Sequence, residues 1–209
     1  MTPEDRARVG WLGAIASCAL VLGVLAGLVA FPSAPERLFG SGASVTEGRA
    51  TVGGPFSLID HNGRRVSDTD FRGRYMLVMF GYAGSPDVTP AQLQMIAAAL
   101  NRLGEKADRL ATLFITLDPE RDRPEVLASY LGNYHPLMLG LTGSREEIAA
   151  VARSYRVPLV RTVDPKTPAG YVIHHDSLIY LMNPEGVYVA NLSQDAGLDV
   201  LISLLAKVL

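Results

Sequence analysis

The stretch Gly-Tyr-Ala-Gly-Ser-Pro-Asp-Val-Thr-Pro, residues Gly81–Pro90, separates two segments with different hydrophobic patterns. The preceding segment, Tyr75–Tyr82, is apolar and uncharged without strict alternation, which is typical of a strand buried on both faces. The following segment, Ala91–Leu103, has apolar residues at helical spacing, which predicts a helix with one buried face. The stretch is therefore predicted to be a loop from a central strand into a helix, where α/β proteins commonly place functional residues.

Patterns along the rest of the chain predict an α/β fold. Asn62-Gly63 lies between two short extended runs, Phe56–Asp60 and Arg65–Ser67, and this arrangement predicts a β-hairpin. A loop is predicted at Val157–Gly170, which contains three prolines. The other predicted strands are Leu110–Leu117, Leu137–Leu141, Tyr171–Met182 and Val187–Asn191, and the other predicted helices are Pro124–Asn133, Ser144–Tyr155 and Leu198–Leu209. Strand–helix–strand followed by a hairpin and a final helix is the order of a thioredoxin-like fold, with a central mixed sheet flanked by helices.

Two predicted helices begin with residues that suit helix capping. Thr89, Pro90 and Gln92 fit the N-cap, N1 and N3 positions of the helix after the loop. Ser144 and Glu147 have the same three-residue spacing before a later apolar run. The sequence therefore predicts a capping box at each position, with capping as the main role of Thr89.

Composition excludes two classes of function. The chain has 209 residues and a formal net charge of -2, so no basic surface indicates nucleic-acid binding. Cys18 is the only cysteine, which makes an intrachain disulfide impossible. Thiol–disulfide exchange needs a thiolate nucleophile, and none is present after residue 18. The chain is therefore predicted not to be a thiol enzyme, and no other catalytic set is apparent.

The N-terminal region predicts a membrane anchor. Residues 11–31 contain no charge and, as a helix of about 30 Å, would span a bilayer. Two arginines precede this segment, which favours a cytoplasmic N-terminus at 1–10 and a domain in the periplasm or an equivalent outer compartment. Residues 32–50 are predicted to be a linker and 51–209 the folded domain. A cleaved signal peptide is the alternative interpretation of the apolar segment.

The loop at Gly81–Pro90 resembles the active-site loop of the Sco/SenC family, which reads Gly-Tyr-Thr-x-Cys-Pro-Asp-x-Cys-Pro. Ser85 and Thr89 occupy the positions of the two family cysteines, while the surrounding frame is kept. Asp118–Pro124 is similar to a second family motif, Asp-Pro-x-Arg-Asp-Thr-Pro. Leu141-Thr-Gly143 matches a third. The resemblance implies a membrane-anchored protein of thioredoxin fold that handles copper.

The resemblance also implies a position for the metal-binding histidine. In the family this residue lies five positions before the Tyr of a His-x-x-x-x-Tyr-Leu run, and counting back from Tyr180 gives His175. Family copper sites combine this imidazole with two thiolates, which are soft ligands that suit Cu(I). The resemblance therefore makes copper the expected cofactor, although both thiol ligands are replaced here.

Two interpretations of the histidine cluster stay open. In the first, His175 is structural and no metal binds. In the second, a harder site uses His175, His174 or Asp176, and Asp87, since imidazoles and carboxylates suit Cu(II) or Zn(II). Alternation along a strand would place His174 and His175 on opposite faces.

The sequence supports two functional hypotheses. In the first, the chain is a divergent accessory in copper handling and in assembly of the copper centre of respiratory cytochrome oxidase. It would bind an oxidase subunit or another assembly factor through Tyr82, Pro86 and Asp87, and the inner membrane through residues 11–31. In the second, it is a noncatalytic thioredoxin-fold interaction module without metal or redox activity.

Overall fold

The structure, a computed structural model, describes residues 45–47, 52–86, 88–167 and 169–209, all within one compact unit, Gly42–Leu209. The predicted anchor at 11–31 and the N-terminal segment 1–10 lie outside the described residues. No helix in the described ranges is long and apolar enough to cross a membrane.

Ten strands and four α-helices make up the described fold. The strands are β1 (Val45–Glu47), β2 (Ser57–Asp60), β3 (Arg65–Ser67), β4 (Tyr75–Gly81), β5 (Leu110–Thr116), β6 (Met138–Thr142), β7 (Val160–Val163), β8 (Tyr171–His174), β9 (Ile179–Met182) and β10 (Tyr188–Leu192). The helices are α1 (Val88–Leu103), α2 (Pro124–Gly132), α3 (Arg145–Ser154) and α4 (Gly197–Ala206). Short 3₁₀ helices lie at Asp68–Phe71, Gly104–Arg109 and Gln194–Ala196.

Eight strands form one mixed sheet in the order β1-β10-β9-β4-β5-β6-β2-β3. The central strands β4, β5 and β6 are parallel, whereas the flanking pairs are antiparallel. The predicted mixed sheet, the buried central strands and the hairpin around Asn62-Gly63 are confirmed. The loop at Gly81–Pro90 therefore leaves the C-terminal end of a parallel strand in the interior of the sheet.

The core lies on both faces of this sheet because alternate residues of β4 point in opposite directions. Leu77 and Met79 pack in one cluster with apolar residues of α1 and α4. Met76, Val78 and Phe80 pack in a second cluster on the other face, which includes Tyr155 and Tyr180. An uncharged run without alternation is thus explained by burial on two sides.

The capping box of α3 is confirmed. The hydroxyl oxygen of Ser144 accepts a hydrogen bond from the backbone N–H of Glu147 at 3.2 Å. The Glu147 carboxylate in turn accepts from the backbone N–H of Ser144 at 2.7 Å. Two backbone donors at the start of the helix are therefore satisfied reciprocally.

The prediction of one strand over Tyr171–Met182 is wrong. The structure has two strands there, β8 and β9, separated by residues 175–178. Strand β8 is not part of the main sheet. It pairs antiparallel with β7, which lies inside the predicted loop, and the two form a separate two-stranded sheet. The apolar composition of the segment indicated burial but could not show that its two halves pair with different partners.

The edge of the main sheet includes residues of the predicted linker 32–50. Strand β1 pairs antiparallel with β10, with Val45 opposite Leu192. A segment of three residues that completes a sheet edge carries too short a pattern to be found from sequence.

Candidate functional site

The loop after β4 is held by backbone hydrogen bonds at its start. The N–H of Ser85 donates to the carbonyl oxygen of Tyr82 at 3.1 Å, which closes a tight turn. The N–H of Leu117 donates to the carbonyl oxygen of Gly81 at 2.7 Å, so the ends of β4 and β5 are joined where the loop begins. The loop therefore starts from a fixed position at the C-terminal edge of the parallel strands.

The turn after β5 supports this loop through a buried carboxylate. Asp122 accepts hydrogen bonds from the backbone N–H of Ala83 at 3.0 Å and from the hydroxyl of Thr116 at 2.6 Å. The turn is itself closed because the N–H groups of Arg121 and Asp122 both donate to the carbonyl oxygen of Asp118. The Asp118–Pro124 motif therefore forms a hydrogen-bonded turn, and its second aspartate also anchors the loop.

Burial raises the pKa of Asp122, and the hydrogen bonds from Thr116 and Ala83 oppose this effect only in part. The neighbouring charge of Asp118 raises this pKa further. An acidic side chain with these surroundings can mark a functional site or a structural network. Its contacts with the loop backbone assign Asp122 here to positioning.

Arg121 connects the same turn to two tyrosines. Its guanidinium forms an ion pair with Asp118 and lies 4.3 Å from the ring centroid of Tyr171 and 5.7 Å from that of Tyr82. The hydroxyl of Tyr171 donates to the Asp118 carboxylate at 3.0 Å. Arg161 lies over the same Tyr171 ring at 3.4 Å. Tyr171 therefore docks the β7–β8 hairpin against the turn and the loop.

An open pocket of about 280 Å³ lies between the loop and β8. Its lining includes Tyr82, Ser85, Pro86, His174, His175 and Ser177. The structure thus brings together the predicted partner-binding residues Tyr82 and Pro86, one family cysteine position and the family histidine position. Strand β8 ends at His174, so His175 lies just beyond the strand whose alternation was expected to separate the two residues, and both contribute to the pocket lining.

The imidazole of His175 is neutral near pH 7. Burial lowers its pKa from 6.5, and the Asp176 backbone and carboxylate offset this effect only in part. Its Nδ1 lies 3.2 Å from the carbonyl oxygen of Asp176, which can only accept, so Nδ1 carries the proton. The ring packs edge-on against Tyr82, with 6.3 Å between centroids. A lone pair therefore remains on Nε2.

Thr89 does not lie in this pocket, and the prediction that it caps α1 is wrong. The helix begins at Val88, and Thr89 is fully buried with no hydrogen-bond partner for its hydroxyl among the described residues. The amide of Gln92 donates to the carbonyl oxygen of Ser177 at 2.7 Å instead of closing a capping box. Of the two family cysteine positions, only Ser85 therefore faces the pocket.

The described residues contain no group of three or more His, Cys, Asp or Glu side chains placed to hold a metal ion. Asp87, one candidate ligand, lies outside the described residues. The side chain of Asp176, the other candidate carboxylate, is exposed. What the pocket offers among these residues is a neutral imidazole beside a hydroxyl, and a serine hydroxyl is a poor substitute for a thiolate as a ligand of Cu(I).

Sequence reasoning missed Arg121 and Tyr171 as parts of the site. The matched motif at Asp118–Pro124 was a signal for Arg121, because a polar cluster after a buried strand lies at the edge where the loop begins. No sequence signal pointed to Tyr171, since its role depends on the pairing of β8 with β7.

A mixed sheet whose interior parallel strand leads through a functional loop into a helix defines this chain as an α/β protein of thioredoxin-like fold. The family described as SCO1/SenC matches residues 44–209, and the chain belongs to that family. The resemblance carried by the three sequence motifs is confirmed.

Solved structures and a curated relative agree with this assignment. The chain is similar to Arabidopsis thaliana ScoI with copper bound, at TM-score 0.70 and 37% identity over 75% of this chain and 96% of that one. The chain is also similar to Bradyrhizobium japonicum ScoI with copper bound, at TM-score 0.70 and 37% identity over 76% of this chain and 99% of that one. Protein sco1 of Schizosaccharomyces pombe is 42% identical over 147 residues, covering 69% of this chain and 56% of that protein. The chain spans about half the length of the first curated relatives it matches.

Proposed function

We propose that this chain acts in copper handling and in assembly of the copper centre of respiratory cytochrome oxidase. It does so as a divergent accessory that binds a protein partner, an oxidase subunit or another assembly factor, rather than by carrying copper on two thiolates. Family membership supports the pathway, and the copper-bound ScoI structures from two other organisms support copper as the cargo of the family.

One observation carries the accessory role: the loop frame is intact while both thiolate positions hold hydroxyls. Asp122 still holds the loop at Ala83, and His175 still lies beside Tyr82. At the same time Ser85 is the only one of the two replaced positions that lines the pocket. A loop pocket that keeps its backbone contacts but has no thiolate ligands is better suited to recognising a protein than to holding Cu(I).

The same chemistry supports a role outside enzymology. The sole cysteine, Cys18, lies in the predicted anchor, so no thiolate is available to the domain for disulfide exchange. We place residues 11–31 in the inner membrane as a single pass and the domain in the periplasm or an equivalent outer compartment. This topology would bring the pocket to the side of the membrane where the proposed partner presents its copper centre.

Deletion of the gene tests the proposal. Oxidase activity should fall when copper is limiting and should recover when copper is added. Wild-type chain should restore activity, whereas Pro86→Ala should restore it less, because Pro86 is an exposed part of the pocket rim. Arg102→Gln is the control, since this exposed arginine of α1 pairs with Asp199 of α4 and does not line the pocket. Unchanged activity of the deletion strain at low copper contradicts the proposal.

The buried position of Thr89 favours a second candidate, an interaction module with no copper role. Two results together support this module. Oxidase activity is independent of the gene, and the chain captures a membrane partner in the presence of a copper chelator but fails to capture it after His175→Ala. A partner that binds equally well after changes at Tyr82, Pro86 and His175 argues against it.

A further inference from the structure

A second pocket of about 210 Å³ shares one lining residue, Ile173, with the loop pocket. Leu117, Ile148 and Ile173 provide its apolar floor, and all three side chains are buried. Leu159 lies at the rim and is 40% exposed. The pocket is smaller than the roughly 300–1,000 Å³ of sites for drug-sized ligands, so it suits one apolar side chain.

An arginine pair and a shared carboxylate lie beside this floor. Arg145 and Arg161 both donate to the carboxylate of Glu120, the latter at 3.0 Å. The Arg145 hydrogen bond, followed by that of Arg161, lowers the pKa of Glu120, which is therefore ionised at neutral pH. Two guanidinium groups thus share one carboxylate, and one positive charge is left over.

Neighbouring acidic groups do not cancel this surplus inside the pocket. Asp118 also lines it but is paired with Arg121. Glu146 follows Arg145 in the chain, yet its carboxylate is hydrogen-bonded at the start of α3 and is not part of the lining. Arg161 is held in place by its stacking on Tyr171 at 3.4 Å. One guanidinium is therefore preorganised beside an apolar floor.

We propose that this pocket binds the C-terminal residue of a protein partner. The terminal carboxylate pairs with Arg145 and Arg161, and an apolar last side chain packs on Leu117 and Ile148. A carboxylate matches the planar donor geometry of arginine and carries the single negative charge that the surplus requires. Capture of a chain end by oriented donors is a known mode of peptide recognition. Glu120 shares the same two guanidinium groups and therefore weakens their pairing with such a carboxylate.

Titration of the purified full chain with N-acetyl-Ala-Ala-Leu tests this site, with the C-terminal amide of the same peptide as the ligand control. Binding is followed by calorimetry up to about 10 mM peptide, because single-anchor contacts give affinities near the millimolar range. The acid should bind at least about tenfold more tightly than the amide. Arg145→Gln should weaken the acid by a similar factor, and Arg102→Gln, outside the pocket, should leave it unchanged.

Glu120→Gln gives the sharpest outcome, because it should tighten binding of the acid by releasing both arginines from their internal partner. A variant that binds more tightly must be folded, so this result cannot be explained by a folding defect, as the weaker binding of Arg145→Gln could be. Equal binding of acid and amide, no binding of either, or weaker binding by Glu120→Gln overturns the proposal. Hexanoate that binds as tightly as the peptide overturns the assignment to a chain end and indicates a free small carboxylate. Every outcome is independent of copper and of oxidase activity.

Discussion

The carboxylate of Asp122 accepts a hydrogen bond from the backbone N–H of Ala83 at 3.0 Å, although 39 positions separate the two residues in the chain. Asp122 also accepts from Thr116 at the end of β5. One buried side chain therefore links the turn after β5 to the loop after β4. The start of the loop is therefore held by a hydrogen bond from the Ala83 backbone to a side chain distant in the sequence.

Asp122→Ala should lower the free energy of unfolding by about 2 kcal/mol, because the Ala83 N–H and the Thr116 hydroxyl lose a buried acceptor. Asp122→Asn should cost less, since its amide oxygen can still accept one of these bonds. Urea unfolding measures both values. Asp199→Ala is the control, because that carboxylate is almost fully exposed and its loss should leave stability unchanged. Equal stability of Asp122→Ala and wild type would show that the link is not formed.

The raised pKa of Asp122 predicts a pH dependence with a definite sign. Between the ordinary value of 3.8 and the raised value, the folded state holds a proton that the unfolded state has lost. Stability from this group is therefore present below pH 3.8 and is lost as the pH rises through the folded pKa. The stability difference between wild type and Asp122→Asn should become less favourable to wild type from about pH 4 upward. A difference that grows in favour of wild type as the pH rises contradicts the assignment.

Thr89→Val should raise the free energy of unfolding by about 1 kcal/mol, since it removes a buried hydroxyl that has no hydrogen-bond partner among the described residues and keeps the approximate shape of the side chain. For a chain of this size the melting temperature should rise by about 2–4 °C. Thr89→Ala should instead be destabilising, because it leaves a cavity. If Thr89→Val lowers stability, the hydroxyl has a hydrogen-bond partner after all.

A methyl group added at Gly81 would lie 2.8 Å from the Thr89 hydroxyl oxygen and 3.0 Å from the Phe114 ring. Gly81→Ala should therefore destabilise the fold by about 1–3 kcal/mol. Combined with Thr89→Ala, the loss should be smaller than the sum of the two single changes, because the crowded atom is gone. Additive losses in this double-mutant cycle would show that the two residues are not in contact.

The sequence predicted those parts of the fold that local pattern controls. Strand β4 and the capping box at Ser144 depend on neighbours in the chain and were found. The break after His174 was missed because it depends on β8 pairing with β7, a choice made by tertiary contacts. Thr89 was misassigned for a related reason: its spacing suits a cap, but packing against Gly81 decides its position. Tyr82, Ser85, Pro86 and His175 line one pocket, and the family motifs gave their positions in the sequence; their roles in binding stay predictions.

Whether the domain binds copper tightly is measured by titrating the full chain with Cu(I) against a competing chelator, beside His175→Ala and Ser85→Cys. We propose that the frame of the site is intact and that the replacement of both thiols ended tight copper binding. Wild type and His175→Ala should bind Cu(I) equally weakly, and Ser85→Cys at least about tenfold more tightly, or about 1.4 kcal/mol, because it returns a thiolate to the pocket that His175 also lines. Tight binding by wild type that is lost in His175→Ala would contradict the account.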